Sequence, residues 1–195
     1  GCPCETEEEA LAFLARIRQK HKDATHNCYA YIIGLNSGIM RYSDDGEPGG
    51  TAGMPIIEVM KARGVVDCAV VVTRYFGGIL LGAGGLVRAY SKAVQEGLAQ
   101  SDLIEKQYGN ILEIGTDYNG VGKIQYLIGE NKIPVLESEY TDKVRFRVLL
   151  PLSETEHFQK LLTEATNARA SQEIVDSCYY AVWNGQILMG EELRG

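Results

Sequence analysis

The residues best suited to chemistry lie between Ser43 and Tyr90. Asp44, Asp45 and Glu47 form a compact carboxylate group inside the run Asp44 to Gly53 (DDGEPGGTAG). Such a group could hold a hydrated divalent ion or pair with Arg74; a solvated turn that bonds its own backbone is the favoured account. A second Gly-rich run, with Gly77, Gly78, Gly82, Gly84 and Gly85, leads toward a helix. Backbone N–H groups in such turns, and at a helix N-terminus, can cradle an anion. Arg74 and Arg88 would add charge-assisted bonds to phosphate or carboxylate, with Lys92 four residues beyond Arg88. Tight packing alone is the competing account of the glycines. The second run is no phosphate-binding Walker loop, because no Gly-Lys-Ser/Thr follows. It is no dinucleotide fingerprint either, since Val87 stands where the third Gly belongs.

His26 precedes a strand-like run, and a histidine can serve as acid or base near neutrality. No partner completes a catalytic set. Cys28 and Cys68 have no evident activating neighbour, and Ser43 lacks the elbow spacing of a hydrolase nucleophile. The five cysteines (2, 4, 28, 68, 178) read as reduced thiols. Cys2-Pro-Cys4 has no second pair at zinc spacing, so neither a metal site nor a cofactor is expected. Catalysis is not the leading expectation.

The elements that would position these residues follow from periodicity. Residues 7–21 read as a helix, with Thr6 and Glu9 as a capping box and Ala10, Leu11, Leu14 and Ile17 on the buried face. Its basic end, Arg16 to Lys22, suits the helix dipole. Residues 27–33 and 39–43 read as paired strands joined by a turn at Leu35-Asn36-Ser37-Gly38. Pro55 opens a second helix, and Gly64 ends it. The unbroken apolar run 65–73 predicts a strand covered on both faces, with Arg74 emerging at its carboxyl end, where ligands gather in α/β layers. As an exposed strand-end residue, Arg74 is expected to tolerate Ala at little cost in stability. A third helix is predicted from Leu86, with Ala89, Tyr90, Ala93, Val94 and Gly97 in its packed stripe.

The pattern restarts near Ile104. Residues 109–116, 120–131, 134–140, 143–150, 153–170 and 171–183 read as strand, helix, strand, strand, helix and strand, with Ser153 and Glu156 as a capping box. That order is the βαββαβ sandwich of ferredoxin-like domains. Residues 1–104 and 105–185 are thus two expected domains, and 186–195 a polar tail.

With 195 residues, 45% of them apolar, a sizeable core is available. The net charge is −7. Residues 1–104 carry 10 Lys/Arg against 12 Asp/Glu, and residues 105–195 carry 9 against 14. Neither half is the basic body of a dedicated nucleic-acid binder, so such binding would need a local patch. No apolar run suits a bilayer span and no signal peptide is evident, which together with the thiols points to the cytoplasm.

The runs Ala24-Thr25-His26-Asn27-Cys28, Ser43 to Gly53, Val72-Thr73-Arg74-Tyr75-Phe76-Gly77-Gly78 and Leu81 to Tyr90 resemble the IMPACT / YigZ family over roughly residues 5–100. The remainder resembles the small C-terminal domain of bacterial members. The resemblance implies an α+β fold of two domains. The first would be like the second domain of ribosomal protein S five, with a left-handed βαβ crossover, and the second ferredoxin-like. Together they would resemble the fourth and fifth domains of elongation factor G. Members normally open with a further strand bearing a Lys-Ser-Arg-Phe type motif, and this chain starts just after that point. The resemblance implies a part in translational control, with RNA, the ribosome or a translation factor as partner. An enzyme acting on a nucleotide or phosphorylated substrate, and an adaptor docking partners on an apolar sheet face, are the alternatives.

Overall fold

The computed structural model describes residues 1–34 and 36–194, Arg194 by its backbone alone. The fold is α+β, in two compact units, Gly1–Leu103 and Ile104–Gly195.

The first unit is built on a four-stranded antiparallel sheet. Its strands are β1 (Cys2–Pro3), β2 (His26–Ile33), β3 (Ile39–Ser43) and β4 (Cys68–Arg74), in the order β1-β4-β2-β3. The helices are α1 (Glu7–Lys20), α2 (Gly53–Ala62) and α3 (Gly82–Ala99). Alternation along β2 sends Cys28, Ala30 and Ile32 to one face and Tyr31 and Ile33 to the other. The first set packs with Ile56, Met60, Leu86, Tyr90 and Val94 of α2 and α3. The second packs with Ala10, Phe13 and Leu14 of α1. Each aliphatic or aromatic side chain so buried contributes ~1.5–3 kcal/mol. Both faces of β4 are covered accordingly, Val70 and Val72 by α2 and α3, Ala69 and Val71 by the α1 side.

Several local expectations shift. In α1, Thr6 Oγ1 accepts from the Glu9 N–H, as a capping residue should, but the Glu9 carboxylate reaches the Glu5 N–H rather than that of Thr6. Phe13 replaces Leu11 on the buried face, and Leu11 is half exposed. The strand predicted from Val65 begins at Cys68, because Asp67 takes a left-handed conformation and its side chain accepts from the Gly34 N–H. The helix predicted from Leu86 begins at Gly82, so Gly82, Gly84 and Gly85 form its first turn instead of a loop. Glycine's poor helix propensity hides that start in the sequence. Its buried stripe is Leu86, Tyr90, Val94 and Leu98, at strict four-residue spacing, while Ala89, Ala93 and Gly97 face outward. Of the expected turn at residues 35–38, Leu35 lies outside the described residues; Ser37 donates its N–H to the Gly34 carbonyl.

The second unit has a five-stranded antiparallel sheet in the order β6-β7-β5-β8-β9. Its strands are β5 (Gln107–Thr116), β6 (Val135–Tyr140), β7 (Val144–Pro151), β8 (Ser171–Trp183) and β9 (Gln186–Met189). Helices α4 (Val121–Glu130) and α5 (Leu152–Thr166) cover one face, over Leu112, Ile114, Phe146 and Val148. The first four strands and two helices follow the βαββαβ order. Residues 186–195 are not the polar tail that composition suggests: β9 pairs with β8, and a 3-10 turn, Gly190–Arg194, buries Leu193. Helix α5 starts behind Pro151 with no side-chain cap, so the Ser153 capping box does not form. It ends in two left-handed residues, Asn167 and Ala168.

On the sheet face away from the helices, Glu113 lies between Arg145 and Arg147, which also pair with Glu139 and Glu137. Beside this cluster Ile111, Leu136 and Val175 line a shallow hollow with Glu137 and Arg147.

Candidate ligand site

The first Gly-rich segment reaches the carboxyl end of β4 through Glu47, which meets Arg74. There the chain buries a carboxylate, Glu47, whose side chain is only 3% exposed. Arg74 Nη1 donates to Glu47 Oε1 at 2.5 Å, and the Tyr90 hydroxyl donates to the same oxygen at 2.8 Å. His26 Nε2 lies 3.8 Å from Glu47 Oε2. His26 Nδ1 sits 2.8 Å from the Asp45 carbonyl, an acceptor, so Nδ1 carries a proton. The Cys28 thiol donates its single proton to the Asp44 carbonyl at 2.9 Å, and its sulfur lies 3.3 Å from the Tyr90 hydroxyl. Four elements thus converge: β2 with His26 and Cys28, the 44–52 turn with Glu47, β4 with Arg74, and α3 with Tyr90.

Electrostatics follow from this packing. Burial alone would raise the Glu47 carboxyl, but the bonds from Arg74 and Tyr90 and the nearby His26 and Arg74 outweigh it and hold it below its ordinary 4.5. Burial pushes the Cys28 thiol up to about 11, against the Tyr90 bond, with Glu47, Asp45 and Asp44 adding to the rise. That cysteine is no nucleophile at neutral pH. Tyr90 is raised too, by burial and by its bonds to Cys28 and Glu47.

The other two carboxylates are also engaged. Asp44 accepts from the N–H groups of Gly50, Ala52 and Gly53 at 2.8, 3.0 and 2.8 Å. Burial opposes its ionisation, yet these three bonds hold it below its ordinary 3.8. Asp45 accepts from the Asn27 N–H at 2.6 Å and faces Arg18 at 3.3 Å. Gly53 is required at its position: a Cβ there would come within 2.8 Å of the Ser43 backbone.

These contacts correct the sequence reading at three points. Three amides of the first Gly-rich turn, those of Gly50, Ala52 and Gly53, are filled by Asp44 and are not open to an external anion. Arg74 is neutralised by Glu47 and is not the free strand-end cation expected, nor is Glu47 part of a solvated turn. No group of three or more His, Cys, Asp or Glu is arranged for a metal among the described residues. Tyr90 and Cys28 complete the buried network unannounced: both read as core residues, and only their register opposite residues 44–47 gives their polar atoms a role.

What faces solvent is different in kind. Tyr75 and Phe76 follow Arg74 and are 58% and 49% exposed. The Tyr75 hydroxyl contacts His21 Nδ1 at 2.9 Å, tying it to the end of α1. The Arg74 guanidinium lies 5.6 Å from the Phe76 ring centre. Gly77 and Gly78 are exposed in the loop beyond, and Gly82, Gly84 and Gly85 start α3 without a side-chain cap. Among the described residues Lys20, Lys22 and Arg88 pair with no carboxylate, whereas Lys92 lies 3.7 Å from Glu96.

Comparison with known proteins matches this architecture. Residues 1–98 match the Impact N-terminal domain, and residues 114–169 match a domain of unknown function, DUF1949. The chain is 46% identical over 165 residues to "IMPACT family member YvyE" of Bacillus subtilis, covering 85% of this chain and 76% of that one. It is 37% identical over 159 residues to "IMPACT family member YigZ" of Escherichia coli, covering 80% and 78%. A solved structure titled "Crystal structure of an hypothetical protein" aligns over 89% of this chain and 85% of its own, with a TM-score of 0.53 and 34% identity. The chain belongs to the IMPACT family.

Proposed function

We propose that this protein binds single-stranded RNA, of the kind displayed by the translation machinery, through the surface formed by Tyr75, Phe76 and the basic end of α1. The observation that carries the reading is the exposure of two consecutive aromatic rings, Tyr75 being tied to His21, which Lys20 and Lys22 flank. Bases stack on such rings whatever their sequence, and Lys20, Lys22 and Arg88 can track phosphates. The net charge of −7 argues against a general affinity for duplex and suits a small local patch. A role in translational control fits the family and an RNA ligand alike.

The test is fluorescence anisotropy with a labelled single-stranded oligoribonucleotide and its duplex, at about 50 and 200 mM salt. Single strands should bind more tightly than duplex, and more weakly at the higher salt. Replacing Tyr75 and Phe76 with Ala should each cost about 1–3 kcal/mol, roughly five- to 150-fold in Kd. Folded protein that retains no single-stranded RNA at the lower salt overturns the proposal.

A further inference from the structure

Beyond the aromatic pair, the same loop ends in an apolar tip. Ile79, Leu80 and Leu81 are 75%, 87% and 46% exposed. Together they show solvent on the order of 400 Å² of aliphatic surface, as much as the largest apolar patch on a typical monomer. The tip immediately precedes α3. One turn into α3, Val87 helps line a groove of about 550 Å³ between α2 and α3, whose opposite wall is Met54, Pro55, Val59 and Ala62. Met54 and Val87 are exposed. The unit therefore carries an aliphatic knob and a groove whose α2 wall is largely aliphatic, with Ser91 and Gln95 beside Val87 on the α3 wall.

We propose that two copies of this chain associate by exchanging these features, the tip of each copy entering the α2–α3 groove of the other about a twofold axis. Area argues for a second copy. A single knob in a single groove would bury roughly 500 Å² in all, less than many incidental crystal contacts. Two reciprocal contacts double that to roughly 1,000 Å², the size of a weak, concentration-dependent interface. A twofold exchange also leaves neither knob nor groove uncovered, whereas one-way docking would propagate into filaments. Charge permits it: the tip carries none, and the groove walls hold one residue of each sign, Glu58 and Arg63. Two acidic chains can meet there without opposing like charges. The inference is independent of the RNA reading, since Tyr75 and Phe76 are not in the contact.

Sedimentation velocity on the full chain, from low micromolar to several hundred micromolar, tests it. A concentration-dependent dimer is expected, little changed between low and high salt because the contact is apolar. Leu80→Asp and Val87→Arg are both exposed changes that leave the cores intact, and each should weaken the dimer at least tenfold. An equal mixture of the two variants should recover association beyond either alone. In the mixed pair one knob–groove contact is native, and the other sets Asp against Arg. A chain that stays monomeric throughout overturns the proposal. So does a dimer indifferent to both substitutions, or one that the mixture fails to restore.

Discussion

Arginine–carboxylate pairs occur in two settings here, and the contrast shows what burial does to the same chemistry. In the first unit Arg74 and Glu47 meet inside the protein, with Tyr90 and His26 completing the shell. On the second unit's sheet, Glu113, Glu137, Glu139, Arg145 and Arg147 form a cross-strand ladder open to solvent. In water, attraction between charges is screened, and ordering long side chains offsets much of it. At the first site the carboxylate is held by need: Glu47 is almost fully buried, and removing Arg74 leaves its charge to Tyr90 and His26 alone. The buried pair is a constraint on folding, and the ladder is a surface finish.

The largest expected effect tests that distinction directly. Arg74→Ala leaves the buried Glu47 without its permanent counter-charge, and should cost ~3–5 kcal/mol of the first unit's stability in urea unfolding. A loss within the range of ordinary surface substitutions would place Glu47 in contact with water and erase the contrast. Acid sharpens it next. The Glu47 carboxyl titrates lower in the folded chain than its ordinary 4.5. Its contribution is therefore complete above that pH and disappears as pH falls through the lower folded value, because the unfolded chain takes up the proton first. Between pH 6 and pH 3 the urea midpoint of the first unit should fall more steeply in the parent than in Glu47→Gln. Equal slopes would assign the acid sensitivity elsewhere, with Asp44 the foremost alternative. The smallest effect belongs to the ladder. Arg147→Ala should leave the unfolding midpoint of the second unit unchanged within measurement, at low and high salt alike. A clear loss would make the ladder structural after all.

Much of the fold was legible because apolar period and capping chemistry act locally. The 7–20 helix, the two-sided β4 strand and the βαββαβ order could each be read from spacing alone. The site was legible only as a location. Asp44, Asp45 and Glu47 look alike in a Gly-rich turn, and nothing local distinguishes the one that enters the core from the one that binds three amides. That sorting depends on Tyr90, 43 residues from Glu47, and on Arg74, 27 residues away. Arg74 was misjudged for the same reason: a strand end appears exposed until the loop that covers it is known. Gly82 to Gly85 were read as loop because propensity argues against helix, and the packing of Leu86 and Tyr90 overrides it.

The grip of Asp44 on Gly50, Ala52 and Gly53 changes what a glycine-rich turn means in this chain. A single side chain fastens the end of one strand to the first amide of the next helix, so a segment with the composition of a slack tether behaves as a closed buckle. The orientation of α2 is inherited from β3 through that buckle, and Gly50, one of the three amides it holds, also lines the groove on α2's outer side.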